Sequence, residues 1–414
     1  MKRLTFIFFL LFLCSIDIIP REQDHYSVHS DSLITAIISN INSDSIKFNI
    51  QSLQDFQTRF MFAQNRFEVA DWIENRFHQI GILDVERDTF MCQSFYGDTT
   101  TMQINVIGTI TGTNRPQEVY IIGGHYDCYA GSNSLNFAPG ADDNASGTSA
   151  ALEFARALIE SGYQPEVTIK FIAFAAEELM LYGDAGCEHY AQKAKNENMN
   201  IKLMINCDMI SNTESTLEQS NVRINYYSGF QGVRNIAIDA TQQFSLINPV
   251  IGSLNQYSDS YPFYEEGYAA VYFEEYDFSP YYHTPEDIID NYNMDYCREV
   301  CKSASATLLK YIFLNPPDDI EDENTLPNNF TLYQNYPNPF NPVTIIKYSI
   351  AKTGLVDLRV YDNLGREVKT LVNQELTAGN YEVEFSADKL ASGIYYYRLI
   401  SGSLSESRKM ILLH

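Results

Sequence analysis

Five short segments in the middle of this chain place metal-ligand residue types where strands should end. They are Gly123-Gly-His-Tyr-Asp127, the pair Asp142-Asp143 between Pro139 and Gly147, Glu177-Glu178, Asn206-Cys-Asp208 and Tyr281-Tyr-His-Thr-Pro285. Two histidines among a surplus of carboxylates is the donor mixture that two divalent cations need, with one carboxylate bridging and another left free as a base. Taken singly, each segment has a plainer reading. His125 alone is an ordinary hydrogen-bonding residue. Asp142 or Asp143 would N-cap the helix that follows, and Thr284-Pro285-Glu286-Asp287 after His283 reads as a helix start. The Glu177-Glu178 pair is harder to explain without a cation, because it ends an apolar run where two adjacent carboxylates are costly to desolvate. Adjacent residues point in different directions, so one can ligate while its neighbour stays free. Asp208 ends another apolar run, and Asp127 can accept the second ring N–H of His125, as metal-bound histidines require. For the aspartate pair both uses stay open, one carboxylate on metal and the other near the helix start.

The elements around these segments explain how they could converge. Residues 30–84 read as helical, with Phe67, Trp72, Ile73 and Phe77 at helical spacing and Gly81 as a stop. Strand-like runs follow at 118–123, 167–175, 201–207 and 269–273, with helical patterns at 148–161 and 287–314. Strands alternating with helices indicate an α/β/α sandwich on a mostly parallel sheet, whose functional groups gather beyond the carboxyl ends of the strands. Residues 315–329, rich in Pro, Asn and acid, read as a solvated linker. Four short alternating runs after it (344–350, 356–361, 379–385 and 393–399) indicate a small antiparallel β-sandwich over 330–414.

Composition narrows the function classes. The formal net charge is -25; residues 330–414 hold 9 Lys/Arg against 8 Asp/Glu (+1), so residues 1–329 hold -26. A body this acidic repels nucleic-acid phosphates and anionic lipid, and neither is expected as a partner. Met1-Lys-Arg followed by an apolar run from Leu4 to Leu13 reads as a signal peptide over residues 1–22, too short to span a bilayer. No other stretch is long and apolar enough to span one, so a mature form without an integral membrane segment is expected. Of seven cysteines, six follow the leader, spaced neither as a zinc finger nor as a dense disulfide scaffold. Export would permit a bridge or two, with no pairing readable from spacing.

Taken in order, the five segments resemble metallopeptidase family 28, the two-zinc aminopeptidases of the bacterial leucyl aminopeptidase and aminopeptidase Y type, over residues 30–314. The resemblance implies one zinc on His125, Asp142 and Asp208 and a second on Asp142, Glu178 and His283, with Asp142 bridging. It implies Glu177 as general base, Asp127 and Asp143 as supporting residues, and Tyr282 as an oxyanion stabiliser, with Tyr281 as competitor. It also implies a cis peptide at Asp142-Asp143. The chemistry expected is attack by a metal-bridging hydroxide on the scissile carbonyl, with cobalt or manganese able to replace zinc. Leu332-Tyr-Gln-Asn-Tyr-Pro-Asn-Pro-Phe-Asn-Pro342, Ser392-Gly-Ile-Tyr-Tyr-Tyr-Arg398 and Lys409-Met-Ile-Leu412 resemble the sorting domain of the type IX secretion system. That resemblance implies the secretion machinery as a partner and a secreted or surface-attached product.

Between Arg234 and Arg298 there is no Lys or Arg, while Asp259, Glu265, Glu266, Glu274, Glu275 and Asp277 are present. A carboxypeptidase would need a cation for the substrate's terminal carboxylate, so peptides with a free N-terminus are the expected substrates. The tyrosines and phenylalanines from Tyr257 to Tyr282 could line a pocket for a large first side chain. The competing readings are a single-zinc glutaminyl cyclase, a non-catalytic binding protein on a peptidase fold, and an adhesin acting through its C-terminal domain.

Overall fold

The computed structural model describes residues 22–93, 100–178, 185–314, 330–335, 338–377, 379–387, 390–402 and 404–413. The expected signal peptide and linker lie outside the described residues, apart from Glu22. Three helices open the chain, α1 (Glu22–Ile38), α2 (Ser43–Gln54) and α3 (Arg66–Ile80), and α3 ends on Gly81 in the left-handed conformation. Strands β1 (Asp84–Gln93) and β2 (Thr100–Ile110) form an antiparallel hairpin that the sequence reading left unassigned. The alternating body then runs β3 (Arg115–His125), α4 (Gly147–Ser161), β4 (Val167–Phe174), α5 (Gly186–Asn196), β5 (Asn200–Cys207), β6 (Asn221–Tyr226), α6 (Gln231–Phe244), β7 (Asn248–Ile251), α7 (Tyr261–Glu265), β8 (Ala270–Glu275) and α8 (Met294–Leu314).

The eight strands form one sheet in the order β1-β2-β4-β3-β5-β8-β6-β7, parallel through β4, β3, β5 and β8 at its centre. Period-2 alternation sends successive side chains to opposite faces. Tyr120 and Ile122 of β3 join one core with α1–α4, α6 and α8, while Val119 and Ile121 join the other with α5 and α7. Both faces are thus covered, which is the expected α/β/α sandwich and explains why the central strands read as unbroken apolar runs.

Glycines let the helix start approach the sheet. A Cβ on Gly147 would lie 1.8 Å from the Cys207 carbonyl oxygen, and one on Gly124 would lie 2.5 Å from that same atom. The expected helix start at Thr284–Asp287 is instead a series of turns, and α8 begins at Met294. Pro285 fixes the backbone there without a helix to follow.

The C-terminal part contains β9 (Thr331–Leu332), β10 (Val343–Ile350), β11 (Gly354–Tyr361), β12 (Glu367–Leu376), β13 (Gly379–Ser386), β14 (Gly393–Ser401) and β15 (Leu404–Leu412). They make two antiparallel sheets, β13-β10-β9 and β12-β11-β14-β15, around a core that includes Ile346, Val356, Leu358, Val360, Tyr397 and Met410. Strands β12 and β15 were not expected; their faces are mostly exposed and polar, so no apolar alternation marks them.

Candidate metal centre

The candidate ligands meet at the carboxyl ends of the parallel strands. His125 is the last residue of β3, Glu177 and Glu178 follow β4, Asp208 follows β5, and His283 stands in the loop after β8. Two groups of donor atoms result, each within 4.8 Å of one another: His125, Glu177 and Asp208, and Asp143, Glu178 and His283.

Asp143 joins them. Its Oδ1 lies 3.4 Å from His125 Nε2 and its Oδ2 lies 3.2 Å from His283 Nε2. Asp208 Oδ1 stands 3.4 Å and Glu177 Oε2 3.8 Å from His125 Nε2, and Glu178 Oε2 is 3.0 Å from His283 Nε2. The expectation that Asp142 bridges is therefore corrected by one residue. Asp142 turns the other way: its Oδ1 accepts from the Ser211 N–H at 2.9 Å and from the Ser211 hydroxyl, and its side chain meets Glu275. The physical reason is a contact distant in sequence. The Asp287 carboxylate accepts the N–H groups of both Asp142 (2.9 Å) and Asp143 (3.2 Å), holding that backbone so that the two side chains leave on opposite sides. The cis bond likewise falls at Asp143-Asn144 rather than Asp142-Asp143. Neither aspartate caps α4, because Asn144 Oδ1 takes the Gly147 N–H at 2.8 Å.

Asp127 supports the site from beneath. Its carboxylate accepts the Glu177 N–H at 3.0 Å and the Glu178 N–H at 3.3 Å, and lies 3.5 Å from His125 Nδ1. One carboxylate thus anchors both glutamates, while His125 Nδ1 pairs with the main-chain carbonyl of the same Asp127 at 3.2 Å. Asn144 does the same for the next strand: its Nδ2 donates to the Cys207 carbonyl at 3.0 Å and its Oδ1 also accepts the Met209 N–H at 3.3 Å, bracketing Asp208. Ala176 (φ 60), Met209 (φ 51) and His283 (φ 58) are non-glycine residues in the left-handed region, beside or within the ligand set. Such strained backbone persists where surrounding structure over-determines it, as at functional sites.

Electrostatics fit a cation. Burial pushes the Glu178 carboxyl up to about 7 and the Glu177 carboxyl well above the carboxylate range, with Asp259, Asp208 and Glu178 adding to the latter. Burial also raises Asp208, although His125 opposes it. Asp208 Oδ1 and Glu178 Oε1 are buried without a hydrogen-bond partner. Orphaned carboxylate oxygens beside two imidazoles suit divalent metal, whose charge would make the ionised forms favourable.

A cavity of about 280 Å³ opens onto both groups, with Tyr282 on its wall. Tyr282 stacks on His283 at a ring separation of 3.7 Å. Tyr281 is not on that wall and packs edge-on against Tyr292. Of the acidic residues from 259 to 277, Glu274 reaches the cavity wall, Asp259 is fully buried, and Glu275 is buried against Asp142. The residues missed in the sequence were Asn144, Asp287 and Asn105, which is described below. Polar residues at turn and strand positions carry no spacing signal of their own.

Residues 105–308 match the model of peptidase family M28, and residues 334–413 match a secretion system C-terminal sorting domain. The chain carries a peptidase family M28 domain. A probable zinc metalloprotease of Pyrenophora teres f. teres is 31% identical over 227 residues, covering 50% of this chain and 47% of the relative. A probable leucine aminopeptidase of Arthroderma otae is 25% identical over 308 residues, covering 69% and 77%. The chain spans about half the length of the first of these relatives. In fold, the M28 domain is similar to the Legionella pneumophila LapA aminopeptidase (TM-score 0.57, 22% identity, 67% of this chain and 74% of that one). It is also similar to a Bacteroides thetaiotaomicron glutaminyl cyclase (TM-score 0.55, 19% identity, 66% and 98%). Fold alone does not separate peptidase from cyclase; the donor set has to.

All six described cysteines are buried, and among the described residues none is bridged to another.

Proposed function

We propose that the chain is an exported, zinc-dependent aminopeptidase that removes N-terminal residues from peptides. The observation that carries this reading is the double reach of Asp143, one oxygen toward His125 and the other toward His283. A carboxylate so disposed suits two ions, one held by His125, Asp143 and Asp208 and the other by Asp143, Glu178 and His283. When bound, zinc would supply Lewis-acid polarisation of the scissile carbonyl and a lowered pKa for water.

The chain's own groups do the rest. Glu177 belongs to the first donor group but is the carboxylate this reading leaves off metal; with the basicity that burial gives its carboxyl, its ionised form can take a proton from the attacking water and return it to the leaving amine. Asp127 holds Glu177 and Glu178 by their backbone N–H groups, one on each carboxylate oxygen. Tyr282, on the cavity wall, is a donor for the developing oxyanion. Among the described residues no Lys or Arg lines the cavity, which favours a protonated amine over a terminal carboxylate in substrate. The sorting domain supports delivery through the type IX secretion machinery to the medium or cell surface, and no described helix is long and apolar enough to cross a membrane.

The test is the metal content of the purified chain, paired with hydrolysis of Leu- and Phe-p-nitroanilide and their N-acetylated forms. About two zinc ions per chain with cleavage only of free-amine substrates is the expected result. One zinc with release of pyroglutamyl product from an N-terminal glutamine peptide would replace the reading with the cyclase. Inert protein with no bound metal would leave a binding protein.

A further inference from the structure

Strand β8 divides its two glutamates between two tasks. Side chains alternate along a strand, so Glu275 turns back to Asp142 while Glu274, like Tyr272 two residues earlier, faces the cavity. Glu274 is 8% exposed. Arg223 donates to its Oε2 at 3.0 Å, and so does Asn225 Nδ2 at 3.0 Å. Its Oε1 has no hydrogen bond among the described residues and is not among the fully enclosed orphan atoms, so it remains open to a partner from the cavity. Around it the wall is aromatic and apolar, with Met209, Tyr257, Tyr272, Phe278 and Tyr282.

A pocket with apolar sides and one carboxylate oxygen suits a particular kind of side chain, one with an apolar stem and a cationic, hydrogen-bond-donating end. We propose that Glu274 sets the substrate class, selecting lysine and arginine at the substrate's N-terminus over aliphatic residues of similar length. The proposal rests on the aminopeptidase reading and adds its specificity.

Two features argue for the side chain rather than the α-amine as its partner. The α-amine is one carbon from the scissile carbonyl and must lie among the reacting groups. Glu274 lines the cavity but belongs to neither cluster of converging donor atoms, which leaves it to a part of the substrate other than the reacting groups. The tyrosine faces beside it add attraction for a passing ammonium or guanidinium. Arg223 does not cancel this. It engages Oε2 and the Tyr276 carbonyl, and it is not itself on the cavity wall.

The experiment compares kcat/KM for Lys-, Arg-, Met- and Leu-p-nitroanilide in wild type, Glu274→Gln and Glu274→Asp. Wild type should favour Lys and Arg over Met. Glu274→Gln should lower the Lys/Met and Arg/Met ratios about tenfold or more, the scale of one charge-assisted hydrogen bond, while Met and Leu rates change little. Glu274→Asp, which keeps the charge, should retain part of the preference. An unchanged Lys/Met ratio in Glu274→Gln overturns the proposal. So does an equal fall for all four substrates in a variant whose circular dichroism is unaltered, which would put Glu274 on the α-amine. Absence of hydrolysis of every substrate by zinc-loaded wild type is a different result, and it removes the aminopeptidase reading instead.

Discussion

At the scale of single residues, the aspartate pair separates what a sequence pattern can say from what it cannot. Asp142-Asp143 marks a site, but which carboxylate faces the two histidines depends on Asp287, 144 residues beyond Asp143, which grips both N–H groups. No local pattern encodes that grip, so the pattern located the carboxylate between the two histidines only to within one residue. His125, Glu178 and Asp208 each end or follow an apolar run where a charged or imidazole side chain is costly without a partner, whereas His283 stands out only in company with the other segments. Asp143→Asn should lose bound zinc and turnover together, by more than the ~10–100-fold that loss of an outer partner costs. Asp142→Asn should keep its zinc, because an amide N–H can stand in for the proton between Asp142 and Glu275. Zinc content by mass spectrometry and Leu-p-nitroanilide turnover on both variants would check this, and the opposite pattern would restore Asp142 as the bridge. Glu177→Gln should retain zinc and lose about a hundredfold or more in kcat, the contribution of a positioned general base. Near-wild-type kcat would remove Glu177 from that role.

At the scale of elements, the parallel strands were readable because burial on both faces makes them apolar throughout, and their carboxyl ends then predicted where the site lies. The β1–β2 hairpin was not readable: Asp84–Gln93 mixes charged and apolar residues, and only part of one face is buried. Yet β2 contributes a support for the segment after β4. Asn105, fully buried, accepts the Ala175 N–H at 3.0 Å and donates to the Gly186 carbonyl at 2.9 Å and to Asp88 at 3.1 Å. It therefore clasps both ends of the segment that carries Glu177 and Glu178. Asn105→Ala should cost about 1–3 kcal/mol, since it leaves buried backbone groups unpaired. It should also lower kcat more than it changes KM, because the glutamates lose their fixed position while the cavity wall stays intact. Urea unfolding and steady-state kinetics read the two effects separately. A loss of stability with unchanged kcat would make Asn105 a fold residue only.

At the scale of the whole molecule, the cores of the M28 domain and of the sorting domain share no residue. Residues 22–314 expressed alone should therefore keep kcat/KM within about twofold of the full chain, as domains with separate cores do. A large loss would show that the C-terminal part contributes to the site. Metal should also govern the stability of the entire M28 domain. Without metal, burial raises the Glu178 and Asp259 carboxyls to about 7 each. His283, which burial alone would lower, is lifted to about 10 by Asp143 and Glu178. Each of these groups has a folded pKa above its unfolded value, so the stability it contributes is present in acid and is lost as pH rises through the folded pKa. Asp143, which burial alone would raise but the two histidines hold well below the carboxylate range, has the opposite sign. Its contribution disappears only in strong acid. The Tm of the chelated protein should therefore fall from about pH 4 to pH 7 through the two carboxyls and on to about pH 10 through His283, whereas zinc, which favours ionised carboxylates and neutral imidazoles, should flatten or reverse that slope. Differential scanning calorimetry with chelator and with added zinc would measure both curves. A chelated protein with a flat profile would mean that these carboxyls are solvated rather than packed together, and the argument for a metal centre built on their burial would fall with it.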